Sequence, residues 1–239
     1  MMHRKVIYDF GYTIEVEEMY PRNYGAPGKG RQTKARATPE QIKMQNRKNK
    51  EKRIRRKMKA NFRENDIWLT LTYRYEERPQ DMKEATTDIR KFLEKMRRYY
   101  KKMGIPFKWM LHTEIGSRGG IHHHLVINRV TDVDIATRSA WKKGGAHIDL
   151  MYEEGGFRKL ANYLAKEPDE ENKLKESRFS CSRNLKTPKP KVRNLKRWHA
   201  DPKPKKGYYI EKETFYEGKN PITGQKYRSY TMIRLNRRI

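Results

Sequence analysis

Apolar and polar residues alternate along several short stretches of this chain, a pattern typical of β-strands with one buried face. A glycine-rich segment, Gly-Ser-Arg-Gly-Gly at 116–120, separates two of these stretches and predicts a tight hairpin between them. A second hairpin is predicted near the N-terminus, with its turn at Gly11, and a third near the C-terminus. The stretches predicted as strands are 6–10, 12–16, 68–73, 108–114, 121–128, 146–150, 208–216 and 227–235.

Helical spacing is clearest over 81–103, where apolar side chains recur every three or four positions and Gly104 follows as a stop. A second amphipathic helix is predicted over 157–167 and a shorter one over 132–141. Strands joined by hairpins, with helices between them, predict an α+β fold with a central antiparallel β-sheet and flanking helices.

The charge of the chain is strongly positive, because 57 Lys and Arg against 29 Asp and Glu give a formal net charge of +28. Such a charge favours binding to polyanions, of which nucleic acid is the most general. An acidic membrane surface is the alternative, but no segment approaches the roughly 20 apolar residues of a membrane span. The first residues lack the apolar run of a secretory signal. A lone cysteine, Cys181, excludes an internal disulfide framework and a multi-cysteine zinc module, so we expect a soluble protein of a reducing compartment.

The excess charge lies in two flanks of the chain. Residues 29–63 carry 15 basic and 2 acidic side chains and residues 183–206 carry 10 and 1, whereas residues 64–182 carry 22 and 19. We interpret the balanced middle as the catalytic core and the flanks as segments that grip nucleic acid; solvated faces or disordered tails are the alternative. The residues expected to contact DNA are Arg47, Lys48, Arg53, Arg55, Arg56, Lys57, Lys159, Arg183, Lys186, Lys189, Lys191 and Arg193.

The segment 39–60 has a helix-forming composition with few apolar positions, namely Ile42, Ile54 and Met58. This stripe is thin for a core helix, so we expect a basic helix that lies on DNA or loosely on the domain. The corresponding domain prediction is a basic N-terminal extension over 1–63, made of the first hairpin, a loop and this helix. A catalytic domain over 64–239 would include the basic segment 183–206 and the closing hairpin.

Three consecutive histidines, His122 to His124, lie in the predicted strand 121–128. Side chains alternate along a strand, so His122 and His124 share a face and can chelate a divalent cation, while His123 points to the apolar face. A tight hairpin would bring Glu114 beside the two histidines. Two imidazoles and a carboxylate form a mixed nitrogen–oxygen site that suits Mn²⁺ or Mg²⁺, with open positions for phosphate oxygens.

Other interpretations of these residues remain open at this stage. Glu114 could be a solvated carboxylate at the end of a hairpin, and an isolated His-x-His pair often binds no metal. His112 is more consistent with strand packing or a DNA contact than with a further ligand, and His147 with a structural role. Whether Glu114 or His112 completes the metal site is therefore left open.

Tyr163 is predicted at the boundary between the buried and exposed faces of helix 157–167, where its hydroxyl can leave the packed surface. Lys166 follows three residues later and is its neighbour on the helix. The tyrosine phenol has an ordinary pKa of roughly 10 and is a poor nucleophile at neutral pH. A nearby ammonium favours the phenolate, and a cation on the scissile phosphate draws charge from phosphorus. Packing alone is the alternative role for this tyrosine.

The ordered combination of Leu-Thr-Leu-Thr-Tyr (69–73), Glu-x7-His-x-His and Tyr-x-x-Lys resembles the HUH endonucleases. Within them it is most similar to the rolling-circle replication initiators of filamentous-phage and small-plasmid type, over roughly residues 68–195. The resemblance implies an antiparallel sheet with the histidine strand at its centre and the tyrosine helix laid across it. It implies that His122, His124 and Glu114 bind a metal. It also implies that Tyr163 forms a 5′-phosphotyrosyl bond and frees a 3′-OH, and that Lys166 orients or screens the scissile phosphate.

Two positions depart from the family pattern. A large hydrophobe usually separates the metal-binding histidines, where this chain has His123, and the positions that could carry a second tyrosine, 159 and 167, are Lys and Glu. We therefore expect a single-tyrosine enzyme. No Gly-x-x-x-x-Gly-Lys-[Ser/Thr] loop occurs, so a host helicase and polymerase are the expected partners, besides single-stranded DNA or an origin hairpin. The cytoplasm of a bacterial host cell is the expected location.

Two other functions are compatible with these features. A relaxase or a single-tyrosine transposase of a mobile element would use the same chemistry on a different DNA end. A non-catalytic basic protein that binds nucleic acid, such as an RNA-binding or ribosome-associated factor, would use the charge alone. The oligomeric state, the physiological metal and the origin sequence do not follow from these patterns.

Overall fold

Two antiparallel β-sheets and four α-helices account for the alternating and periodic stretches of the sequence, so the predicted α+β class is confirmed for the described residues. The computed structural model describes residues 2–20, 37–152, 157–168, 174–220 and 224–235. The strands are β1 (His3–Asp9), β2 (Thr13–Met19), β3 (Ile67–Thr72), β4 (Trp109–Gly116), β5 (Ile121–Ile127), β6 (Ala146–Leu150), β7 (Leu174–Cys181), β8 (Lys191–Leu195), β9 (Tyr208–Ile210), β10 (Tyr216–Lys219) and β11 (Lys226–Arg234). The helices are α1 (Pro39–Asn61), α2 (Met82–Lys102), α3 (Val133–Ala140) and α4 (Arg158–Leu164). None of the helices in these ranges is long and apolar enough to cross a membrane.

The chain divides into two compact units. The central unit is Lys50–Thr187, and the flanking unit combines Met1–Asn49 with Pro188–Ile239. This division differs from the predicted boundary at residue 63, because the N-terminal hairpin pairs with strands from the C-terminal part of the chain and α1 contributes to both units.

The central unit is built on a five-stranded sheet with the order β6-β3-β5-β4-β7, in which the histidine strand β5 is the middle strand. Alternate residues of β3, β4 and β5 form one apolar cluster with α2 and α3 on one face of the sheet. On the other face, Met110 and Val126 pack with α4 and the second half of α1. The sheet is thus covered by helices on both faces, and its inner strands are buried.

Helix α2 lies where the periodicity predicts it, and its ends have clear local causes. The side chain of Asp81 accepts a hydrogen bond from the backbone N–H of Glu84, which satisfies one of the free donors of the first turn. Gly104 has a φ of +68°, the left-handed conformation with which helices commonly end. Seven side chains of the helix are buried, which places its apolar stripe against the sheet.

The expectation of a loosely attached basic helix over 39–60 is wrong for its second half. Ile54, Met58 and the following Phe62 are spaced four residues apart and are only 3%, 0% and 2% exposed. Full burial of such a side chain contributes about 1.5–3 kcal/mol, so three of them in line hold half a helix firmly. In the first half of α1 the apolar side chains Ile42 and Met44 are exposed, as a thin stripe predicts.

The flanking unit contains a second antiparallel sheet with the order β10-β11-β2-β1-β8, and β9 pairs with β11. Strands β7 and β8 were not predicted; β8 lies within the basic segment 183–206, where charged residues mask the alternation. The predicted strand 208–216 is instead broken into β9, a 3₁₀ turn at Lys212–Thr214 and β10.

A buried ion pair joins two strands of the flanking unit. The Arg228 side chain is 1% exposed, and its guanidinium donates to Glu18 Oε2 and to the carbonyl oxygens of His199 and Ala200. Glu18 Oε1 lies 3.0 Å from Lys5 Nζ. Burial raises the pKa of Glu18, but the bonds from Arg228 and Lys5 outweigh it, so the net pKa lies below the usual range. Both charges are thus compensated in the core of this sheet.

Replacing Glu18 by Gln preserves the size of the side chain but removes the buried counter-charge of Arg228. We expect the free energy of unfolding at pH 7 to fall by about 3–5 kcal/mol, because an uncompensated buried charge remains. Denaturant titration followed by circular dichroism measures this. The control is Glu217→Gln, since Glu217 also contacts Arg228 but its side chain is 29% exposed; its loss should stay below about 1 kcal/mol.

The same pair of proteins tests the pH dependence. The folded pKa of Glu18 lies below its ordinary value of 4.5, so its stabilising contribution is complete above that value and is lost as the pH falls through the folded pKa. The stability difference between the wild type and Glu18→Gln should therefore shrink in acid below the ordinary value. A difference that stays constant down to the acid unfolding transition contradicts the assignment.

Candidate active site

The antiparallel pairing of β3, β5 and β4 decides which side chains face one another. His122 and His124 share one face of β5, because side chains alternate along a strand. On β4, Glu114 lies opposite His122 and His112 lies opposite His124. On β3, Thr70 lies opposite His124. One face of the sheet therefore carries three imidazoles, a carboxylate and a hydroxyl on three adjacent strands.

Helix α4 brings Tyr163 onto the same face. The helix packs through Ala161 and Leu164, which are completely buried. Tyr163 Oη donates a hydrogen bond to Glu114 Oε1 at 2.9 Å and also lies 2.9 Å from His124 Nε2. Glu114 Oε1 and His124 Nε2 are themselves 3.3 Å apart. The phenol, the carboxylate and the imidazole thus form one cluster.

The electrostatics of the cluster hold the carboxylate ionised and the phenol protonated. Burial raises the pKa of the Tyr163 phenol well above its usual range, and the Glu114 carboxylate raises it further. Burial also raises the pKa of Glu114, but the neighbouring His112 and His124 imidazoles and the Tyr163 hydroxyl outweigh it and hold this pKa well below its usual range. Use of Tyr163 as a nucleophile therefore requires compensating positive charge close to its oxygen.

Lys166 lies two residues beyond the end of α4, with its ammonium 3.9 Å from the centre of the Tyr163 ring. A cation over an aromatic face is attracted to it electrostatically. The carbonyl oxygen of Lys166 accepts a hydrogen bond from Ser177 Oγ at 3.1 Å, which ties this end of the helix to β7. The two residues predicted as catalytic, Tyr163 and Lys166, are therefore in direct contact.

His124 is oriented by two residues that the sequence patterns did not single out for the site. Its Nδ1 lies 3.1 Å from Thr70 Oγ1, and Trp68 stacks on its ring with the centroids 5.8 Å apart. Trp68 also meets the Tyr163 ring edge-on at 5.7 Å. With Nδ1–H donating to the threonine hydroxyl, Nε2 presents its lone pair to the cluster, as metal-binding histidines do.

His112 is fully buried, and neither of its ring nitrogens makes a hydrogen bond. Its Nε2 lies 3.5 Å from Glu114 Oε2, an oxygen that also has no hydrogen-bond partner. An unsatisfied buried polar group costs roughly 1–3 kcal/mol, so these atoms are suited to a further partner. Full burial excludes the DNA contact that was one interpretation of His112 and places it within the cluster beside Glu114.

The donor set fits a divalent cation, although no three His, Cys, Asp or Glu side chains among the described residues already converge as a metal-binding group. Two ligands that each lie about 2.1 Å from one ion at roughly 90–110° are about 3.0–3.5 Å apart. The 3.3 Å between His124 Nε2 and Glu114 Oε1 matches this spacing. His122 stacks beside His124 at 6.0 Å between centroids, and its pKa is lowered by burial and then by His124, which favours the neutral imidazole that binds metals.

His123 lies on the opposite face of the sheet, in the core beneath α2. Its Nε2 is 2.8 Å from Tyr73 Oη and its Nδ1 is 2.8 Å from Thr113 Oγ1, so both ring nitrogens have partners. Burial lowers the pKa of His123 to about 3, and the neighbouring histidines lower it further. A neutral, fully bonded imidazole thus fills the place that a large hydrophobe occupies in the family pattern.

The basic residues predicted to contact DNA are distributed over both units. The central unit contains Arg53, Arg55, Arg56, Lys57, Lys159, Arg183 and Lys186, and the flanking unit contains Arg47, Lys48, Lys189, Lys191 and Arg193. All are exposed except Arg55, Arg56 and Lys57, which are half-buried. Arg55 pairs with Glu51 at 3.1 Å, and Lys57 Nζ lies 3.7 Å from Cys181 Sγ. These partly buried cations therefore also serve the packing of α1.

Comparison with known proteins gives one family. Residues 66–168 match the ORF2 family of replication-associated proteins. The matched segment, less than half of the chain, begins just before β3 and ends after α4, so it contains Glu114, the three histidines of β5, Tyr163 and Lys166. No curated protein and no solved structure shows a significant match. The similarity to replication-associated proteins thus covers the part of the chain in which the candidate site lies.

His123→Leu should lower the free energy of unfolding by about 1–3 kcal/mol, because it leaves the buried Thr113 hydroxyl without a partner. Tyr73 is less affected, since it also faces Asp88. Adding Thr113→Val to His123→Leu removes the orphaned hydroxyl and should recover about 1 kcal/mol, whereas Thr113→Val alone should destabilise the wild type. Chemical denaturation of the four proteins measures the cycle. If the double variant is no more stable than His123→Leu, hydrogen bonding is not what His123 contributes.

Proposed function

We propose that this chain is a replication initiator that nicks single-stranded DNA by metal-dependent transesterification through Tyr163. The observation that carries the proposal is the position of Tyr163 Oη, 2.9 Å from both Glu114 Oε1 and His124 Nε2. A tyrosine that only packs has no reason to direct its hydroxyl at a buried carboxylate and an imidazole. The match to replication-associated proteins favours origin nicking over the same chemistry in a relaxase or a transposase.

In the proposed step, the Tyr163 oxygen forms a bond to the scissile phosphorus while the bond between phosphorus and the 3′ oxygen breaks. The leaving 3′ oxygen takes up a proton and becomes a 3′-OH that a polymerase can extend. The 5′ end remains on the protein as a phosphotyrosine. The phenolic proton has Glu114 Oε1 as its nearest acceptor, at 2.9 Å. One phosphoester replaces another, so the step consumes no nucleotide.

His122, His124 and Glu114 would hold the cation, with His112 beside them. When bound, Mg²⁺ or Mn²⁺ polarises the scissile phosphate and offsets the charge that develops on it. The Thr70 hydroxyl holds the His124 ring in the orientation that binding requires. Neutralising the Glu114 carboxylate also removes its share of the raised pKa of Tyr163, which follows the contribution of burial.

Lys166 acts at the other side of the phenol. Its ammonium over the Tyr163 ring favours the phenolate and can follow the charge onto the phosphate during attack. The exposed basic residues of both units would hold the DNA backbone without reading its sequence, with an affinity that falls steeply as salt rises. A host helicase and polymerase would unwind and extend the nicked strand.

Tyr163→Phe should abolish the covalent protein–DNA adduct and reduce cleavage by about a thousandfold or more, since it removes the attacking oxygen. The measurement uses single-stranded oligonucleotides of randomised sequence, labelled at the 3′ end, with Mn²⁺ and denaturing gel electrophoresis. Tyr75→Phe is the matched control, because this tyrosine is 79% exposed and distant in sequence from the cluster. Unchanged adduct formation by Tyr163→Phe would show that another group is the nucleophile.

The metal assignment has a test that does not depend on cleavage. His124→Ala and Glu114→Gln should each weaken binding of Mn²⁺ at least tenfold in calorimetric titrations, because each removes a ligand. His147→Ala should bind Mn²⁺ like the wild type, since its side chain is 76% exposed in β6. Salt-sensitive DNA binding should persist in all three variants. Equal Mn²⁺ affinity in His124→Ala and the wild type would exclude this cluster as the metal site while leaving the tyrosine adduct testable.

A further inference from the structure

A groove of about 260 Å³ lies in the central unit between α2 and β7, on the sheet face opposite Tyr163. Three arginines line this α2–β7 groove: Arg90 and Arg97 come from α2, and Arg178 comes from β7. Trp109 of β4 contributes an indole to the same surface and is half-buried. The groove thus combines cationic groups with one large aromatic side chain.

The groove exists because β7 is an edge strand whose α2-facing side chains are polar. Under α2, the inner strands present buried leucines such as Leu111 and Leu125. At the same level, β7 presents Arg178 opposite Thr113 and Ser180 opposite Leu111. A helix does not cover such residues at a gain in apolar burial. The result is an open channel with an apolar floor and a charged wall.

The charges of the groove are not balanced from within. Glu94 is its acidic residue, and this carboxylate lies 4.0 Å from Arg98, outside the groove lining. Arg90, Arg97 and Arg178 form no ion pair with any residue that the structure describes. Three uncompensated guanidinium groups stand out in a stretch, 64–182, whose basic and acidic residues number 22 and 19. Their concentration favours an anionic ligand.

We infer that the α2–β7 groove binds the phosphate backbone of single-stranded DNA outside the cleavage site. Guanidinium groups bind phosphates through two parallel hydrogen bonds, and an indole provides a stacking surface for a base. Arg90 and Arg97 are seven residues apart on α2, so their positions are separated by about 10.5 Å along the helix axis. Cations at intervals along an open channel fit a polymer that passes through. A free nucleotide would need an enclosed pocket of about 300–1,000 Å³.

The groove is connected to the candidate active site through β7 itself. Ser177 lies opposite Glu114 on the face that carries the tyrosine, and the next residue, Arg178, points into the groove. A strand of DNA at the active site can therefore reach the groove by passing around the edge of the sheet. The groove binds DNA whether or not Tyr163 cleaves it, so this inference goes beyond the nicking reaction.

The test measures binding of fluorescein-labelled oligothymidylate, about thirty nucleotides long, to the full chain in EDTA by anisotropy at several salt concentrations. The groove variant is Arg90→Ala, Arg97→Ala and Arg178→Ala combined. The control variant is Lys91→Ala, Lys101→Ala and Arg138→Ala combined, which removes the same charge from exposed residues outside the groove. Thermal melting of both variants establishes that they are folded.

We expect the groove variant to bind at least about tenfold more weakly, with a salt slope lower by about 2, as for the loss of three phosphate contacts on a single strand. The control variant should lose clearly less of both. Equal losses in the two variants would show that the overall charge, not the groove, holds the DNA. Wild-type affinity in the groove variant would also overturn the inference, including in favour of a peptide that adds to the edge of β7. Because no metal is present, the result does not depend on whether the chain nicks DNA.

Crosslinking supplies a measurement on the unaltered protein. Oligothymidylate with 5-iododeoxyuridine at internal positions is irradiated with the wild-type chain, and the crosslinked peptides are identified by mass spectrometry. The expected adduct is on the peptide that contains Trp109, since aromatic side chains that stack on the modified base react. Crosslinks confined to peptides of the flanking unit would place the DNA elsewhere and contradict the groove assignment.

Discussion

The register between β4 and β5 is the constraint on which the candidate site depends. Side chains alternate with a period of two, so a slip of one residue would move every side chain of a strand to the other face of the sheet. The turn that joins the strands holds the register, with Gly116 N donating to Gly120 O at 2.8 Å and Gly119 adopting a φ of +76°. Glu114 meets the histidine face because of this turn.

The same register gives the two faces of β5 different chemistry. On one face, His123 is bonded on both nitrogens within an apolar core. On the other, His124, Glu114 and Tyr163 meet beneath α4 and the second half of α1. The helices that cover the polar face exclude water from it, which explains why burial is the first cause of the pKa shifts of both Glu114 and Tyr163. The packing that positions the phenol thus also keeps it protonated until positive charge is supplied.

The sequence patterns predicted the strands and helices of the central unit because those elements are local. Alternation in 68–73 and 121–128 and the stripe over 81–103 depend on residues close in sequence, and the structure has β3, β5 and α2 there. The shared face of His122 and His124 followed from the same periodicity. The hairpin placed Glu114 near them because only a short turn separates the two strands.

Features that depend on pairing between distant segments could not be predicted in this way. Thr70 and Trp68 contact His124 because β3 is the neighbour of β5, and alternation within a strand does not reveal its partner. Strands β7 and β8 have mixed, charged sequences at the edges of sheets, where a weak pattern suffices because one side needs no partner. The burial of α1 was underestimated for a related reason. Three apolar residues in line are few for a free helix but enough when a sheet face awaits them.

Net charge over a long segment conceals how the charge is arranged along a helix. In α2 the acidic residues Asp81, Glu84 and Asp88 precede Arg90, and basic residues dominate from there to Lys102. This order agrees with the helix dipole, which favours anions at the N-terminus and cations at the C-terminus. The sums cancel over 64–182, so composition alone points to the flanks as the DNA-binding segments. Because the acidic and basic halves of α2 lie at different places along one sheet face, the balanced core itself offers DNA a cationic surface.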